Sequence, residues 1–353
     1  MSAELEAGAA NCVIDCAGVG TSTRLFVVSE RGAVDRQVND AITAAGRDAG
    51  AQVENIWVDP IPKATPDAIP EAALAAYREG DIVISHFPSL TREALHPHFP
   101  GESRIRVPNR ARTGDLLGSG WARFPYSVQR AIAERLEERM APGLAWRITS
   151  PAGTDLAGTF AAADAGGEVG AAFFVDAGEA GRARKNFPGG VHDPRACATL
   201  DGILVVEYMD NVPQSEDDPA LELEIKDCRI ARITGGAAGG QLRDAIGSSD
   251  GWIDSWHAGV NPETLTPVTR QANSRQWFGF SHCSPGIMHY HLGRTHETTN
   301  LASFGHTLIV NGETLYEDGA LAPAILEDPA VAAAIAKAGA KGQSFATRPM
   351  EMW

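Results

Sequence analysis

Between residues 23 and 150 two periodicities alternate along the chain. The apolar run "TRLFVVSE" predicts a strand, "VDRQVNDAITAAGRDAGA" has the spacing of a helix ending near Gly50, and "QVENIWVD" predicts the next strand. After the proline-rich connector "PIPKATPDAIP" come a helix, "EAALAAYREG", and a strand, "DIVISHF". Strand, helix, strand, helix, strand is the order of a parallel sheet with right-handed crossovers, which predicts an α/β domain. The strongly patterned helix "SVQRAIAERLEERMA" then leads into "PGLAWRITSPAGTDLAGTF", read as strand, turn, strand.

The boundary is placed at residue 147, giving an α/β domain over 1–147 and a second domain over 148–353. The second half consists of short β-rich segments broken by Gly, Pro and Asp: "GAAFFVDAG", "GILVVEYMD", "ALELEIKDCRIARITGG" and "HTLIVNGETLYEDG". Helices are expected only around "GGQLRDAIGSSD" and "DPAVAAAIAKAGAKG", and the Ala/Gly-rich stretch 161–172 is expected to be a loop. The pattern predicts an α+β domain dominated by antiparallel strands. "GVGTSTR" precedes the first strand instead of following it, so no dinucleotide fingerprint is formed.

A chain of 353 residues exceeds the usual size of one hydrophobic core, in agreement with two domains. A formal net charge of −15 disfavours binding to nucleic acid or an anionic membrane, both of which need a basic face. No apolar run is long enough for a membrane helix and the N-terminus has no signal-peptide pattern, so a cytoplasmic protein is expected. The five cysteines are odd in number and scattered, which suggests neither a disulfide framework nor a zinc knuckle. Cys12 and Cys16, four apart, are read as one buried helix face.

Histidine changes this picture. Six of the ten histidines (His257, His282, His289, His291, His296 and His306) fall within fifty residues. In "IMHYHLG" the H-x-H spacing on a strand sends both imidazoles to one face, because side chains alternate with a period of two. Such a nitrogen pair suits Zn²⁺, Fe²⁺, Mn²⁺ or Cu²⁺. The candidate ligands are His289 and His291, with His306 opening a strand and His257 as an additional member; His282 and His98 are read as exposed or peripheral.

Several short motifs then occur in order: "GTDLAGTF" (153–160), "NFPGG" (186–190), "GVNP" (259–262), "GIMHYHLG" (286–293) and "HTLIVNGETLYEDG" (306–319). In these the chain resembles the leucyl aminopeptidase T-type metallopeptidases and the related 2,5-dihydroxypyridine 5,6-dioxygenases. The resemblance implies a two-domain fold with the metal site in the C-terminal domain. It also exposes departures: the peptidases' carboxylate positions fall on Val191, Ser255 and Leu308, while His289 and His306 match family histidines. New imidazoles stand close by, at His192, His257 and His291. Too little negative charge remains for two adjacent divalent ions, so a mononuclear, nitrogen-rich site is expected.

The resemblance to the dioxygenases implies one divalent ion, Fe(II) before Zn or Mn, acting on a small anionic ring such as a hydroxypyridine. A metal-dependent hydrolase of an amide, lactam or lactone is the alternative, and a non-catalytic metal- or ligand-binding relative is the third. His296 and His192 are assigned to acid–base work, and Arg294, His86 and Arg106 to substrate binding, with Arg110 a further contact. The relatives imply a homodimer.

Overall fold

The computed structural model describes residues 1–60, 70–86, 104–162, 175, 184–209, 212, 219–247, 251–264, 283–292 and 299–339. The chain forms two compact units, Met1–Arg130 with Gly170–Gly189, and Ala131–Val169 with Gly190–Trp353. This differs from a single cut at residue 147. The first division falls within a helix, and a later stretch of chain returns to the first unit to pair with its sheet edge. Such a return is a long-range pairing that local periodicity does not reveal.

The first unit is α/β. Helix α1 (Ala3–Ala10), capped by the Ser2 hydroxyl, runs on into a π-helical turn in which Cys12 and Cys16 are both buried. Strand β1 (Arg24–Glu30) is followed by α2 (Arg36–Asp48), β2 (Gln52–Val58), α3 (Glu71–Glu79), β3 (Ile82–His86) and β4 (Ile105–Pro108). All pairings are parallel, in the order β2-β1-β3-β4. The central strands are continuous apolar runs because both of their faces are covered. On one face Phe26, Val28 and Val83 pack with Ala73, Ala76 and Tyr77 of α3. Beyond β4, residues 184–187 add a further parallel row through the bridges Arg106↔Arg184 and Asn109↔Phe187.

Helix α4 (Tyr126–Arg139) carries the division between units. The second unit is a large antiparallel sheet. Its strands are β5 (Ala145–Thr149), β6 (Asp155–Phe160), β7 (Arg195–Val206), β8 (Tyr208–Met209), β9 (Leu221–Lys226), β10 (Arg229–Thr234), β11 (Ile253–Ala258), β12 (Ile287–Leu292), β13 (Thr299–Phe304), β14 (Thr307–Val310), β15 (Glu313–Glu317) and β16 (Ala320–Leu321). The main path runs β16-β15-β14-β5-β6-β7-β11-β12-β13-β8, with the β9–β10 hairpin paired to β7. Helices α5 (Gly236–Ile246) and α6 (Pro329–Lys337) match the two helices expected in this half. Among the described residues no helix is long and apolar enough to cross a membrane.

Two of the short motifs meet beside β12. Gly259 follows β11, and a β-carbon there would overlap the Cys283 carbonyl group and the Ser284 oxygen; one at Gly190 would overlap the Cys283 side chain. The close approach is bonded as well, by Asn261 N–H to Cys283 O at 3.0 Å and by Val260 N–H to Gly190 O. The turn that launches β12 is therefore seated directly on the glycine backbone of "GG" and "GV". Gly259→Ala is expected to cost about 1–3 kcal/mol through overpacking against rigid backbone. A urea midpoint equal to that of the unsubstituted protein would refute this account of the turn.

Candidate metal centre

The site is built by the register of two adjacent strands. β11 and β12 pair antiparallel with His257 opposite His289 and Ser255 opposite His291. Residues directly opposite in such a pair point to the same face, and so do residues two apart. One face of this ribbon therefore carries Ser255, His257, His289 and His291. The other carries Trp256 and Tyr290, with Trp256 edge-on to Trp146 (5.4 Å between centroids) and the Tyr290 hydroxyl 3.0 Å from Ser303 Oγ. These aromatic anchors hold the reverse face of the ribbon, which leaves the imidazoles little freedom to turn away.

The three rings crowd together. Their centroids lie 4.6 Å apart for His257–His289, 4.8 Å for His289–His291 and 5.1 Å for His257–His291. One ring nitrogen from each lies within 4.8 Å of the other two. All three residues are buried, between 1% and 6% exposed. His289 Nδ1 and His257 Nε2 are 2.7 Å apart. Metal–nitrogen bonds near 2.0–2.1 Å place neighbouring donors roughly 3 Å apart, so the tightest pair already has the required spacing. Without an ion, the same contact is an N–H···N hydrogen bond with one proton between two imidazoles. The donor set fits one borderline transition-metal ion.

Ser255 was read from the sequence only as a missing carboxylate, and the structure gives it work. Its Oγ lies 2.8 Å from His291 Nδ1. A hydroxyl accepting the Nδ1 proton fixes the tautomer in which Nε2 has the free lone pair, the outer contact that ligating histidines need. The signal was present in the sequence: Ser-x-His and His-x-His carry the same two-residue spacing, and antiparallel pairing superimposes them.

The remaining expected residues are distributed differently. His306 precedes β14, which is bonded to β5 and β15 and not to β11 or β12, so it is not one of the three that converge. Its ring is fully buried, 5.1 Å from that of Tyr316, and neither nitrogen has a hydrogen-bond partner among the described residues. Burial pushes its pKa down to about 3. His192, expected to transfer protons, has both nitrogens engaged: Nε2 accepts Ala258 N–H at 3.0 Å, and Nδ1 donates to Asp193 O at 2.7 Å. It is held as one neutral tautomer, its pKa lowered to about 3 by desolvation and by the nearby Arg195 and His306. It braces the end of β11 beside His257 and has no lone pair left for a substrate.

His86 and Arg106, expected to touch substrate, are committed to the interior of the first unit. Asn109 Nδ2 donates to His86 Nε2 at 3.0 Å, so Nδ1–H points to Ser29 Oγ, also at 3.0 Å. Asn39 donates to the same Ser29 oxygen at 2.7 Å. The Arg106 guanidinium donates to the carbonyls of Ile105 (3.0 Å), Gly80 (3.5 Å) and Tyr77, closing the carboxyl end of α3. Arg294, His296, His282 and His98 lie outside the described residues.

No protein-family model matches the chain, and no characterised protein matches it by sequence. Solved structures share its fold, among them these two. The 2,5-dihydroxypyridine dioxygenase from Pseudomonas putida KT2440 superposes with a TM-score of 0.63 at 13% identity, covering 90% of this chain and 97% of its own. Wild-type AmpT from Thermus thermophilus superposes with a TM-score of 0.51 at 12% identity, covering 91% and 97%. The two-domain α/β plus antiparallel architecture is thus shared with both, and a three-histidine group able to hold a metal stands on it.

Two outcomes follow from this geometry. Ser255→Ala should keep the fold while weakening metal binding by about 10–100-fold, the usual effect of losing the contact that orients a ligating histidine; chelator competition measures it, and unchanged affinity would refute the role given to Ser255. Separately, His86 titrates near 3 when folded against 6.5 for the free side chain, because burial disfavours its charged form. The unfolded chain therefore binds the extra proton first. Stability from this group is complete above pH 6.5 and declines by about 1.4 kcal/mol per pH unit as pH falls towards 3. In His86→Gln, which cannot titrate, denaturant unfolding at pH 7 and pH 5 should show a visibly shallower decline.

Proposed function

We propose that the chain is a mononuclear metal-dependent enzyme of small-molecule catabolism that opens a hydroxylated heteroaromatic ring, with a hydroxypyridine-like anion as substrate. The observation that supports this reading above others is the composition of the cluster. His257, His289 and His291 converge with no carboxylate among them, and they are the one such group among the described residues. Hydrolysis by two metals relies on a pair of ions about 3.5–4 Å apart, and three neutral nitrogens supply no bridging charge for a second ion. They suit a single ion that keeps open positions and a net positive charge. A ferrous ion held there would supply the redox chemistry that lets dioxygen react with an electron-rich ring.

The chain's own residues do the rest. The β11–β12 register presents three nitrogens from two rigid strands, Ser255 sets the His291 tautomer, and His192 secures the backbone next to His257. Burial of all three imidazoles keeps bulk water from competing for the same positions. The likeness of fold to a dioxygenase adds support of a coarser kind. A second reading rests on the same donors, since three histidines also form hydrolytic zinc sites. In that reading the substrate is an amide, lactam or lactone, and the fold likeness to AmpT is the comparable support.

Metal-free protein reconstituted anaerobically with Fe²⁺, Mn²⁺ or Zn²⁺ and presented with hydroxypyridines and related lactams separates the two. We expect ring absorbance to fall only with Fe²⁺ and only with matching oxygen consumption. Turnover with Zn²⁺ in the absence of oxygen would replace this reading with the hydrolase. Metal quantitation is expected to give one tightly bound ion per chain.

A further inference from the structure

Open parallel sheets bind ligands beyond the carboxyl ends of their strands. In the first unit those ends are Glu30, His86 and Pro108, and the chain leaving β4 carries Arg110 and Arg112. This exit is rigid. Asn109, clamped to His86, accepts Ala111 N–H at 2.9 Å through its Oδ1, and Arg110 N–H donates to Phe187 O at 2.7 Å. Arg112 N–H donates to Arg110 O at 3.0 Å, and Arg112 O accepts Asp35 N–H at 2.9 Å. The row that brings Phe187 alongside also brings Arg184 beside Arg106.

Arg110 is held differently from several other arginines of the chain. Exposed Arg147 grips Asp155 and Arg232 grips Glu224, while buried Arg106 is spent on backbone carbonyls. The Arg110 side chain is partly buried, and its Nε is out of contact with solvent and has no acceptor among the described residues. Burial, reinforced by the positive charges of Arg112 and Arg184, lowers its pKa to about 10. Glu30 acts on Arg112. A guanidinium with a buried, unsatisfied Nε–H and other arginines for neighbours is in a state that an entering oxyanion relieves.

We propose that Arg110, Arg112 and Arg184 form a binding site for a small oxyanion, a carboxylate or phosphate group, at the carboxyl edge of the four-stranded sheet. The proposal is independent of the metal cluster and of the reaction assigned to it. Because the guanidinium fork matches planar two-oxygen groups, the site takes the anionic group of a small molecule and not a polyanionic surface.

The test uses the full-length protein in chloride buffer, titrated with inorganic phosphate or malonate at constant ionic strength and followed by calorimetry and thermal unfolding. Saturable binding of at least one of the two is expected, with a midpoint that climbs with the logarithm of its concentration. Binding of phosphate alone identifies a phosphate site, malonate alone a carboxylate site, and both a general oxyanion site. Arg110→Met should weaken that binding by about tenfold or more, as loss of a charge-assisted fork predicts. Its midpoint in chloride alone should be unchanged or higher, because an unrelieved buried charge has been removed; an arginine in a structural ion pair would show the reverse. Should Arg110→Met fail to fold, Arg112→Met, a half-buried side chain, decides on the same criterion of lost anion binding. Failure of both anions to bind, equal stabilisation by chloride, or unchanged affinity in the substituted proteins overturns the proposal.

Discussion

The metal cluster depends on one constraint, the register of β11 against β12. With a side-chain period of two, a slip of a single residue would turn His289 and His291 to the face now held by Tyr290. It would set Trp256 opposite one of them, and no nitrogens would converge. The register is secured at one end and from behind. The launch turn of β12 sits on Gly259 and Gly190, the amide after His257 is bonded to His192, and Trp256 packs against Trp146 and Phe160 on the reverse face. Residues far apart in sequence thereby serve one purpose, keeping four side chains in line on one face of the ribbon.

Strictly local patterns were legible in the sequence. The apolar run at 25–28 and the amphipathic spacing of 36–48 gave β1 and α2, and the H-x-H pair gave one face of β12. What depended on distant partners was not legible. The return of residues 184–187 to the edge of β4 has no periodic signature, so the division between units could not be found from texture. His306 looked equivalent to His289 because both stand at strands, yet β14 hydrogen-bonds to β5 and β15, which keeps it out of the converging set. Ser255 was misjudged for a different reason. It was compared with a carboxylate it had replaced, and its value lies in the histidine placed opposite.

The buried histidines show how the fold separates structure from chemistry. His86 and His192 are each held by hydrogen bonds at both nitrogens, one donated and one accepted, which is the full capacity of a neutral imidazole. They are polar pieces of a core and are satisfied within it. The cluster is arranged differently, since His257 and His289 direct nitrogens at each other and Ser255 meets His291 at Nδ1. Three polar rings brought into an interior and aimed at one point carry a desolvation cost that their mutual contacts do not obviously repay. A cation held at that point would offset the cost, because all three rings can turn a nitrogen towards it.

The chain carries a net charge of −15, and among the described residues exposed arginines such as Arg24, Arg147 and Arg232 are paired with neighbouring carboxylates, so positive potential is favoured where the fold protects it from acidic side chains. Two such places are visible, each within its own unit: a nitrogen cluster free of carboxylates, and a sheet edge where Arg110 has arginines for neighbours. A small anion bound at either place would be shielded from the chain's net negative charge, whereas an extended polyanion would meet it. Acidity outside and cationic sites within are therefore compatible, since the first repels extended polyanions while the second selects an anion small enough to leave that surface behind.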